Sequence, residues 1–318
     1  MKSEFQFIKH LKERFSLSYT GDDCAVLPKD QFSDLLITAD LLIEDIDFRL
    51  DWSKPAYIGY KSLAVSLSDI AAMGGTPTFA LLSLGVPERL WNDKFLEDFY
   101  EGWHFLAKRF GIELVGGDIS STADKLAIDS IVLGEVPKGN AIRRSGAKPG
   151  DVIFVSGTIG GAVGGLRLLE SKEPYDASDD KVLALVQKQL RPLPQIDLGK
   201  QLRELGIVTA MIDISDGISS DIAHICEASA VGAALAAEKL PIDPDLTRAF
   251  PDRAELLDLA LNGGEDFELL ITIDPDKRDL IANLPVAQVG TITERIGVVE
   301  LVEHGSAREL RPQGFQHF

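Results

Sequence analysis

Short acidic clusters recur along this chain, each next to glycine or to an apolar, strand-like run. They are Gly21-Asp22-Asp23, Thr38-Ala39-Asp40, Ser68-Asp69, Gly116-Gly117-Asp118 and Asp213-Ile214-Ser215-Asp216-Gly217. Carboxylates destabilise a compact apolar region unless a positive charge lies between them. If the clusters converge in one cleft, they form an oxygen-only site suited to Mg²⁺, the usual companion of nucleotide phosphates. The pattern therefore predicts a fold in which distant aspartates meet, and magnesium-dependent phosphate chemistry.

Any one of these clusters taken alone favours a structural role, because Asp is common in turns and Ser-Asp often caps a helix. Their combination favours metal binding. Asp69 lies inside an apolar helical run, Asp40 lies at a strand end, and Asp213 and Asp216 flank a Ser-Gly turn. Burying even two of these without a cation or donor would cost several kcal/mol. One shared cause, a divalent cation, accounts for all of them.

Length and charge narrow the class of protein. The 318 residues, 45% hydrophobic and 26% charged, suit one large domain or two of ordinary size with a substantial core. The formal net charge of −18 argues against binding to nucleic acid and against attraction to anionic membranes. Acidic side chains that merely keep a protein soluble would give the same charge.

The cysteines and the N-terminus indicate a cytoplasmic protein. Cys24 and Cys226 are the only cysteines, too few for a disulfide framework or a thiolate zinc site. Residues 1–5 run into charged positions without the apolar core of a signal peptide, and no stretch approaches the roughly 20 apolar residues of a membrane span.

Hydrophobic periodicity predicts alternating strands and helices, hence an α/β fold with two domains, residues 1–140 and 141–318. In the first half, strands are predicted from residue 34, over 79–86, 112–115 and 126–136, and helices over about 53–75 and 93–110. In the second half, strands are predicted over 152–155, 209–214, 267–273 and 298–302, a helix over 218–230, and an exposed polar segment over 171–181.

Other motifs are weaker. There is no G-x-x-x-x-G-K-[ST] loop, and the five histidines are scattered. Gly157-Thr158-Ile159-Gly160-Gly161 either offers backbone amides to a phosphate or is a plain strand-to-helix connection. Arg143-Arg144 either binds a polyphosphate through bidentate guanidinium hydrogen bonds or is a solvated basic turn. Gly263-Gly264-Glu265-Asp266-Phe267-Glu268 either contacts a polar ligand or is an acidic loop.

Several motifs occur in an order that resembles the thiamine-monophosphate kinase family, within the aminoimidazole-ribonucleotide-synthetase-like superfamily. They are Gly21-Asp22-Asp23, residues 68–75 (SDIAAMGG), Gly116-Gly117-Asp118, residues 144–151 (RSGAKPGD), residues 213–217 (DISDG), residues 264–269 (GEDFEL) and the ending Gly314-Phe315-Gln316-His317-Phe318. The resemblance covers residues from about 20 to the C-terminus and implies transfer of the γ-phosphoryl group of ATP onto thiamine monophosphate. It also implies a homodimer in which N-terminal strands of two chains form a shared barrel.

The resemblance further implies roles for individual residues. Several Mg²⁺ ions would be held by Asp23, Thr38, Asp40, Asp69, Asp118, Asp213 and Asp216, with Asp22 a weaker match. ATP would contact Tyr100, Gly117, Asp118, Arg144 and Ser215, and the substrate would contact Asp47, Glu265 and Phe315. Asp69, Asp118 and Arg144 would act directly in the transfer.

Two positions depart from the family pattern. Where the family usually has a substrate-contacting histidine before phenylalanine, this chain has Asp47-Phe48, and Ala39 replaces a residue that is often hydroxylated. Asp47 is suited to face the cationic thiamine rings, but it would repel the substrate phosphate. These two changes affect the expected substrate contacts more than the expected ATP or metal contacts.

Two rival functions stay open at this stage. One is another ATP-using enzyme of the superfamily, such as a purine-biosynthesis synthetase, a selenophosphate synthetase or a hydrogenase-maturation dehydratase. The other is a non-catalytic dimer that binds metal or nucleotide and has lost the reaction, which the changes at Ala39 and Asp47 would allow.

Overall fold

A computed structural model describes residues 4–171 and 178–315. The helices in these ranges, in chain order, are α1 (Glu4–Phe15), α2 (Pro55–Ala72), α3 (Asp93–Phe110), α4 (Gly161–Glu170), α5 (Asp180–Leu190), α6 (Ile196–Leu205), α7 (Ile218–Ser229), α8 (Pro244–Ala249) and α9 (Arg253–Asn262). The strands are β1 (Ala25–Pro28), β2 (Ser33–Ile43), β3 (Thr76–Pro87), β4 (Glu113–Thr122), β5 (Ala127–Pro137), β6 (Val152–Ser156), β7 (Val208–Asp213), β8 (Gly232–Ala236), β9 (Leu269–Ile273), β10 (Val286–Thr293), β11 (Val299–Glu303) and β12 (Ser306–Glu309).

Two mixed sheets organise these elements, which confirms the predicted α/β class. The first has the order β1-β2-β5-β3-β4 and is antiparallel except for the β3–β4 pair. The second has the order β12-β11-β8-β10-β6-β9-β7 and is antiparallel except for β11 beside β8. No helix in the described ranges is long and apolar enough to cross a membrane.

Helix α2 joins the two halves of the molecule. It begins at Pro55, a residue whose fixed φ suits the first helical turn. Its residues are buried almost all the way round, and it contacts β2, β3 and β5 of the first sheet as well as β7 of the second. The C-terminal end of α2 therefore lies where the two sheets meet, and this end carries Ser68 and Asp69.

Close approach of backbones explains two glycines in the helical layer. A Cβ on Gly59 would lie 1.9 Å from the carbonyl oxygen of Phe99, and one on Gly102 would lie 1.7 Å from that of Ala56. Helices α2 and α3 are thus packed backbone to backbone on one face of the first sheet.

The sequence predictions of the long elements are confirmed: the helices predicted over 53–75 and 93–110 correspond to α2 and α3. One prediction is wrong. The motif Gly116-Gly117-Asp118 does not follow a strand but lies inside β4, an exposed edge strand. The polar segment predicted over 171–181 falls partly outside the described residues, and its last residues begin α5.

Candidate active site

Three aspartates from distant parts of the chain meet where the sheets adjoin. Asp23 lies before β1, Asp69 on α2 and Asp213 at the end of β7, and carboxylate oxygens of all three lie within 4.8 Å of one another. Asp23 and Asp213 are buried, and Asp69 is half-buried. We call these three residues the acidic cluster. The sequence predicts that distant aspartates meet in the fold, and these three do.

Hydroxyl groups fix the orientation of the carboxylates. Ser68 donates to Asp213 over 2.6 Å and so joins α2 to β7, whereas Thr38 on β2 donates to Asp69. Asp40, two residues further along β2, accepts a hydrogen bond of 2.7 Å from Ser66 on α2. Thr38 and Asp40 therefore lie on the face of β2 that α2 covers, at the rim of the acidic cluster.

The acidic cluster has too little positive charge of its own. Burial, and then the neighbouring Asp40 and Asp213, raise the pKa of Asp69 well above its usual range. Burial and the repulsion of Asp23 raise the pKa of Asp213 to about 7, and burial raises that of Asp40 to about 6. Carboxylates that resist ionisation in this way are stabilised when a cation is bound between them.

Arg144 supplies the one guanidinium that the described residues place against this cluster. Its Nη2 lies 2.6 Å and its Nε 3.2 Å from the same oxygen of Asp23, Oδ1. Asp22 accepts from the Arg144 amide over 3.0 Å and from the Arg143 guanidinium over 2.6 Å. The Arg143-Arg144 pair is therefore anchored to the Gly21-Asp22-Asp23 motif, which excludes the alternative of a purely solvated basic turn for Arg144.

One atom shows that this compensation is incomplete. The second oxygen of Asp23, Oδ2, is buried and has no hydrogen-bond partner among the described residues. Three carboxylates, an orphaned buried oxygen and nearby hydroxyls form a donor set made only of oxygen, which is the type that Mg²⁺ prefers. The residues present thus fit a divalent cation.

A cavity of about 440 Å³ opens beside the acidic cluster. Its lining includes Asp40, Asp47, Ser215, Asp216, Glu265 and Phe315. Four sequence-predicted residues for ATP or substrate (Asp47, Ser215, Glu265 and Phe315) and two for metal (Asp40 and Asp216) therefore line the same cavity. We call this space the substrate cavity.

The backbone around Glu265 is held in an uncommon conformation. Glu265 has φ 66° and Phe267 has φ 51°, both in the left-handed region that non-glycine residues rarely adopt. The Glu265 amide donates to the Ser215 carbonyl over 2.8 Å, and the Phe267 amide donates to that of Ile214 over 2.9 Å. Strain held by such contacts is typical of functional sites, which favours ligand contact over a plain acidic loop.

Glu265 is neutralised by a residue that the sequence reasoning missed. The Lys61 ammonium, 5% exposed, lies 2.6 Å from the Glu265 carboxylate and also donates to the Asp47 carbonyl over 3.2 Å. Gln189 on α5 donates to the other Glu265 oxygen. The signal was available in the sequence, because Lys61, like Asp69, is a charge inside the apolar run of α2.

Asp47 and Phe315 meet the cavity in different ways. The Asp47 carboxylate accepts from the Ile43 amide over 2.7 Å and so closes the turn after β2. The Phe315 side chain is 49% exposed, and its backbone amide donates to the Asp216 carbonyl over 3.2 Å. Residues 316–318 of the predicted aromatic ending lie outside the described residues.

The structure does not bring Asp118 to the acidic cluster. Asp118 lies opposite Ser83, which lies opposite Asp129, whereas Asp40 lies opposite Ser130. Directly paired residues share a face and successive residues alternate, so Asp118 and Asp40 are on opposite faces of the first sheet. The side chain of Asp118 is on the face that α2 does not cover.

Gly117 and Tyr100 also lie away from the cluster. A Cβ on Gly117 would lie 1.9 Å from the Leu82 carbonyl oxygen, so strand packing by itself requires glycine there. Tyr100 follows Phe99, which touches α2 at Gly59, and ten residues of helix from Gly59 to Asp69 span roughly 15 Å. Any contact of these residues with ATP therefore stays a prediction.

The Gly157-Thr158-Ile159-Gly160-Gly161 loop is a structural connection. The amides of Gly160 and Ala162 donate to the Asp266 carboxylate over 2.6 Å and 3.1 Å. These donors at the start of α4 are already used, which favours the plain connection over a phosphate loop.

Family models match both halves of the chain. The model described as AIR synthase related protein, N-terminal domain, matches residues 21–136, and that of the C-terminal domain matches residues 148–306.

Curated relatives match over nearly the full length. The thiamine-monophosphate kinase of Bacillus subtilis (strain 168) is 38% identical over 94% of this chain and 92% of its own length. That of Escherichia coli (strain K12) is 37% identical over 94% of this chain and 91% of its own length.

Solved structures have the same fold. AaThiL complexed with AMPPCP and TMP superimposes with a TM-score of 0.88 at 34% identity, covering 99% of this chain and 97% of that one. A hydrogenase maturation protein HypE in complex with ATP has a TM-score of 0.72 at 17% identity, covering 98% of this chain and 95% of that one. The second likeness bears on the fold alone.

Proposed function

This chain belongs to the thiamine-monophosphate kinase family. We propose that the acidic cluster and the substrate cavity together form its phosphoryl-transfer site. The reaction is ATP-dependent phosphorylation of thiamine monophosphate, giving thiamine diphosphate and ADP. The observation that carries the proposal is the meeting of Asp23, Asp69 and Asp213 next to a cavity that contains Glu265 and Phe315.

The acceptor needs no general base. A phosphate monoester is already largely dianionic at pH 7, because its second pKa is about 6. Histidine is accordingly not needed at the reacting atoms. The obstacle is repulsion between the two anionic phosphates, so the site must hold them in line and offset their charge.

The acidic cluster is suited to hold Mg²⁺ through Asp23, Asp69 and Asp213, with Thr38, Asp40 and Asp216 beside it. When bound there, Mg²⁺ would supply charge neutralisation to phosphate oxygens of donor and acceptor. Arg144 holds Asp23 and keeps a guanidinium at the edge of the cluster, where the ATP phosphates would lie. Ser215 would contact ATP from the same wall as Asp216.

The substrate cavity is suited to the rest of thiamine monophosphate. Phe315 offers an exposed ring face to the cationic thiazolium or to the pyrimidine. Glu265, held by Lys61 and Gln189, would accept hydrogen bonds from the substrate with the remaining lone pairs of its carboxylate. Asp47 faces the same cavity and would lie nearer the cationic rings than the phosphate.

We extend the proposal to a homodimer with a shared barrel. The face of the first sheet opposite α2 carries neighbouring apolar residues that are half-exposed or exposed, namely Ile37, Leu41, Phe79, Leu81, Ile131 and Leu133. A second copy laid on this face would bury them. Asp118 lies on the same face of the first sheet. In the proposed division into domains of residues 1–140 and 141–318, the barrel belongs to the first domain.

The use of ATP supports a cytoplasmic location.

The rival enzyme types find less support in the site. A selenophosphate synthetase would need a reactive thiolate, and Cys24 is the residue nearest that role. Burial, and then the carboxylate of Asp69, raise the pKa of Cys24 well above its usual value, so the thiol stays protonated and unreactive. The purine-biosynthesis enzymes would not explain the match to thiamine-monophosphate kinases over 94% of the chain.

A coupled ADP-release assay with Mg²⁺-ATP tests the proposal. We expect ADP and thiamine diphosphate in equal amounts when thiamine monophosphate is added, and neither without it. Turnover with an amidine-forming purine precursor instead would favour the purine enzymes. Binding of ATP without turnover would favour the non-catalytic dimer.

A further inference from the structure

A second group of metal-ligand side chains lies at the start of α7, apart from the acidic cluster. Ligand atoms of Asp216, Asp221 and His224 lie within 4.8 Å of one another. Asp221 and His224 are three residues apart on α7 and therefore project from the same face of the helix. Asp216 precedes the helix and is brought to this face by the turn at Gly217.

The turn at Gly217 is specific to glycine. Gly217 has φ 107°, and a Cβ there would lie 2.9 Å from the Asn262 carbonyl carbon. Only glycine accepts both this conformation and this contact. The backbone thus commits Asp216 to its place beside the first turn of α7.

Asp221 provides the observation that points to a ligand. Its side chain is 1% exposed, and its Oδ2 has no hydrogen-bond partner among the described residues. The charges that act on it are mainly carboxylates, those of Asp216 and then Asp213, whereas Arg144 acts more weakly and is already paired to Asp23. Asp221 is therefore a buried acid in an anionic setting.

The helix dipole is too weak to account for this burial. Asp221 lies in the first turn of α7, where the dipole stabilises an anion only modestly. Removing an ionised carboxylate from water without a partner costs more than the dipole returns. Either a proton or a metal cation must supply the remaining stabilisation.

We propose that Asp216, Asp221 and His224 form a second cation site, which binds a first-row divalent transition metal such as Mn²⁺ or Co²⁺. Two carboxylates with one imidazole nitrogen suit these ions, whereas Mg²⁺ favours a shell of oxygen alone. A cation can arrive through the substrate cavity, because Asp216 lines it. The proposal rests on the proposed function only in sharing Asp216, and it assigns ligand roles to Asp221 and His224.

Electron paramagnetic resonance of Mn²⁺ titrated into the full-length protein without nucleotide tests the site. Electron spin-echo modulation of bound Mn²⁺ reports directly on a nitrogen ligand. We expect nitrogen modulation in the wild-type protein. We expect it to be lost in His224→Gln, with about one fewer bound Mn²⁺ per chain. The matched control His104→Gln, an exposed histidine on α3, should keep both.

The wild-type spectrum is decisive even if a variant fails to fold. Bound Mn²⁺ without nitrogen modulation would overturn the proposal, as would equal binding and modulation in wild type and a folded His224→Gln. In that case Asp221 is buried in its protonated form. Because no nucleotide or substrate is present, this result is independent of the ADP-release assay, whose failure would concern the proposed function instead.

Discussion

The acidic cluster and the Lys61–Glu265 pair, which lines the substrate cavity, compensate buried charge in opposite ways. Glu265 is neutralised by a lysine of the same chain at 2.6 Å, so its charge is compensated without any ligand. Asp23, Asp69 and Asp213 share one guanidinium and leave an oxygen of Asp23 unpartnered among the described residues. Folding alone compensates the charge of the pair, whereas the cluster keeps an unpartnered oxygen that suits a cation from solution. This difference separates the region proposed to hold metal from the region that shapes the cavity.

The largest expected effect is on turnover when the cluster is altered. Asp69→Asn removes one of the three clustered carboxylates with little change in side-chain shape. We expect kcat with Mg²⁺-ATP to fall on the order of 10³-fold, because neutralisation by a bound metal contributes several kcal/mol to such transition states. Steady-state kinetics with circular dichroism as the test of folding measures this.

Asp34→Asn is the matched control for the cluster. Asp34 is a buried aspartate on β2 whose charge is compensated within the chain, because the Lys138 ammonium lies 2.8 Å from it. We expect its kcat to stay near that of the wild type. If Asp69→Asn kept full activity, or if both variants lost activity equally, Asp69 would not be a metal-holding residue.

The next effect concerns the Lys61–Glu265 pair. Lys61→Met leaves Glu265 without its cation, and we expect a loss of stability on the order of 3 kcal/mol with a higher KM for thiamine monophosphate. Lys61→Met combined with Glu265→Gln should recover most of that stability, because no unpaired charge remains. Thermal unfolding of the single and double variants measures the coupling between the two residues.

Added Mg²⁺ distinguishes the two regions in the same experiment. It should stabilise the wild type and Lys61→Met by a similar amount, because the ion does not replace the lysine. Full rescue of Lys61→Met by Mg²⁺ would mean that Glu265 belongs with the acidic cluster, and the contrast drawn above would be lost.

The pH dependence of stability tests the difference between the two regions, because buried carboxylates at and beside the acidic cluster have raised pKa values. The pKa of Asp40, about 6, and that of Asp213, about 7, lie above the value of an unfolded aspartate, so the folded protein binds these protons more tightly. Their contribution to stability is complete below about pH 4 and is lost as the pH rises through 6 and 7. Mg²⁺ bound to the ionised carboxylates should restore it.

We therefore expect Mg²⁺ to raise the Tm by roughly 4–8 °C at pH 8, which corresponds to about 2 kcal/mol, and by much less at pH 5. Differential scanning calorimetry with EDTA or Mg²⁺ measures both values. Asp213→Asn should flatten the dependence on pH in EDTA, whereas Asp34→Asn should not. An equal Mg²⁺ effect at both pH values would contradict binding at the cluster.

The contrast between the two regions also explains what the sequence could predict. Each aspartate of the cluster stands out in the chain because an acid next to an apolar run is costly unless partnered. Lys61 carries the same signal within α2, because a buried ammonium in an apolar helical run also requires a partner. The long elements, α2 and α3 above all, followed from periodicity alone.

Asp118 and the glycine loop show where sequence reasoning fails. Whether Asp118 faces α2 depends on the register of β4 against β3, and a shift of one residue reverses it. The amides of Gly160 and Ala162 are used by Asp266, more than 100 residues away in the chain. Such partners are set by tertiary contacts and leave no local pattern.

The smallest expected effect is on the KM for thiamine monophosphate when the substrate cavity, rather than the acidic cluster, is altered. Phe315→Ala removes an exposed ring while the backbone hydrogen bond to Asp216 can remain. A ring stacked on a cationic heterocycle contributes on the order of 1 kcal/mol, so we expect the KM for thiamine monophosphate to rise about 5-fold. Phe315→Tyr keeps the ring and should stay near the wild-type value. A raised KM for ATP with an unchanged KM for thiamine monophosphate would place Phe315 on the nucleotide side, and the cavity would then serve the donor rather than the acceptor.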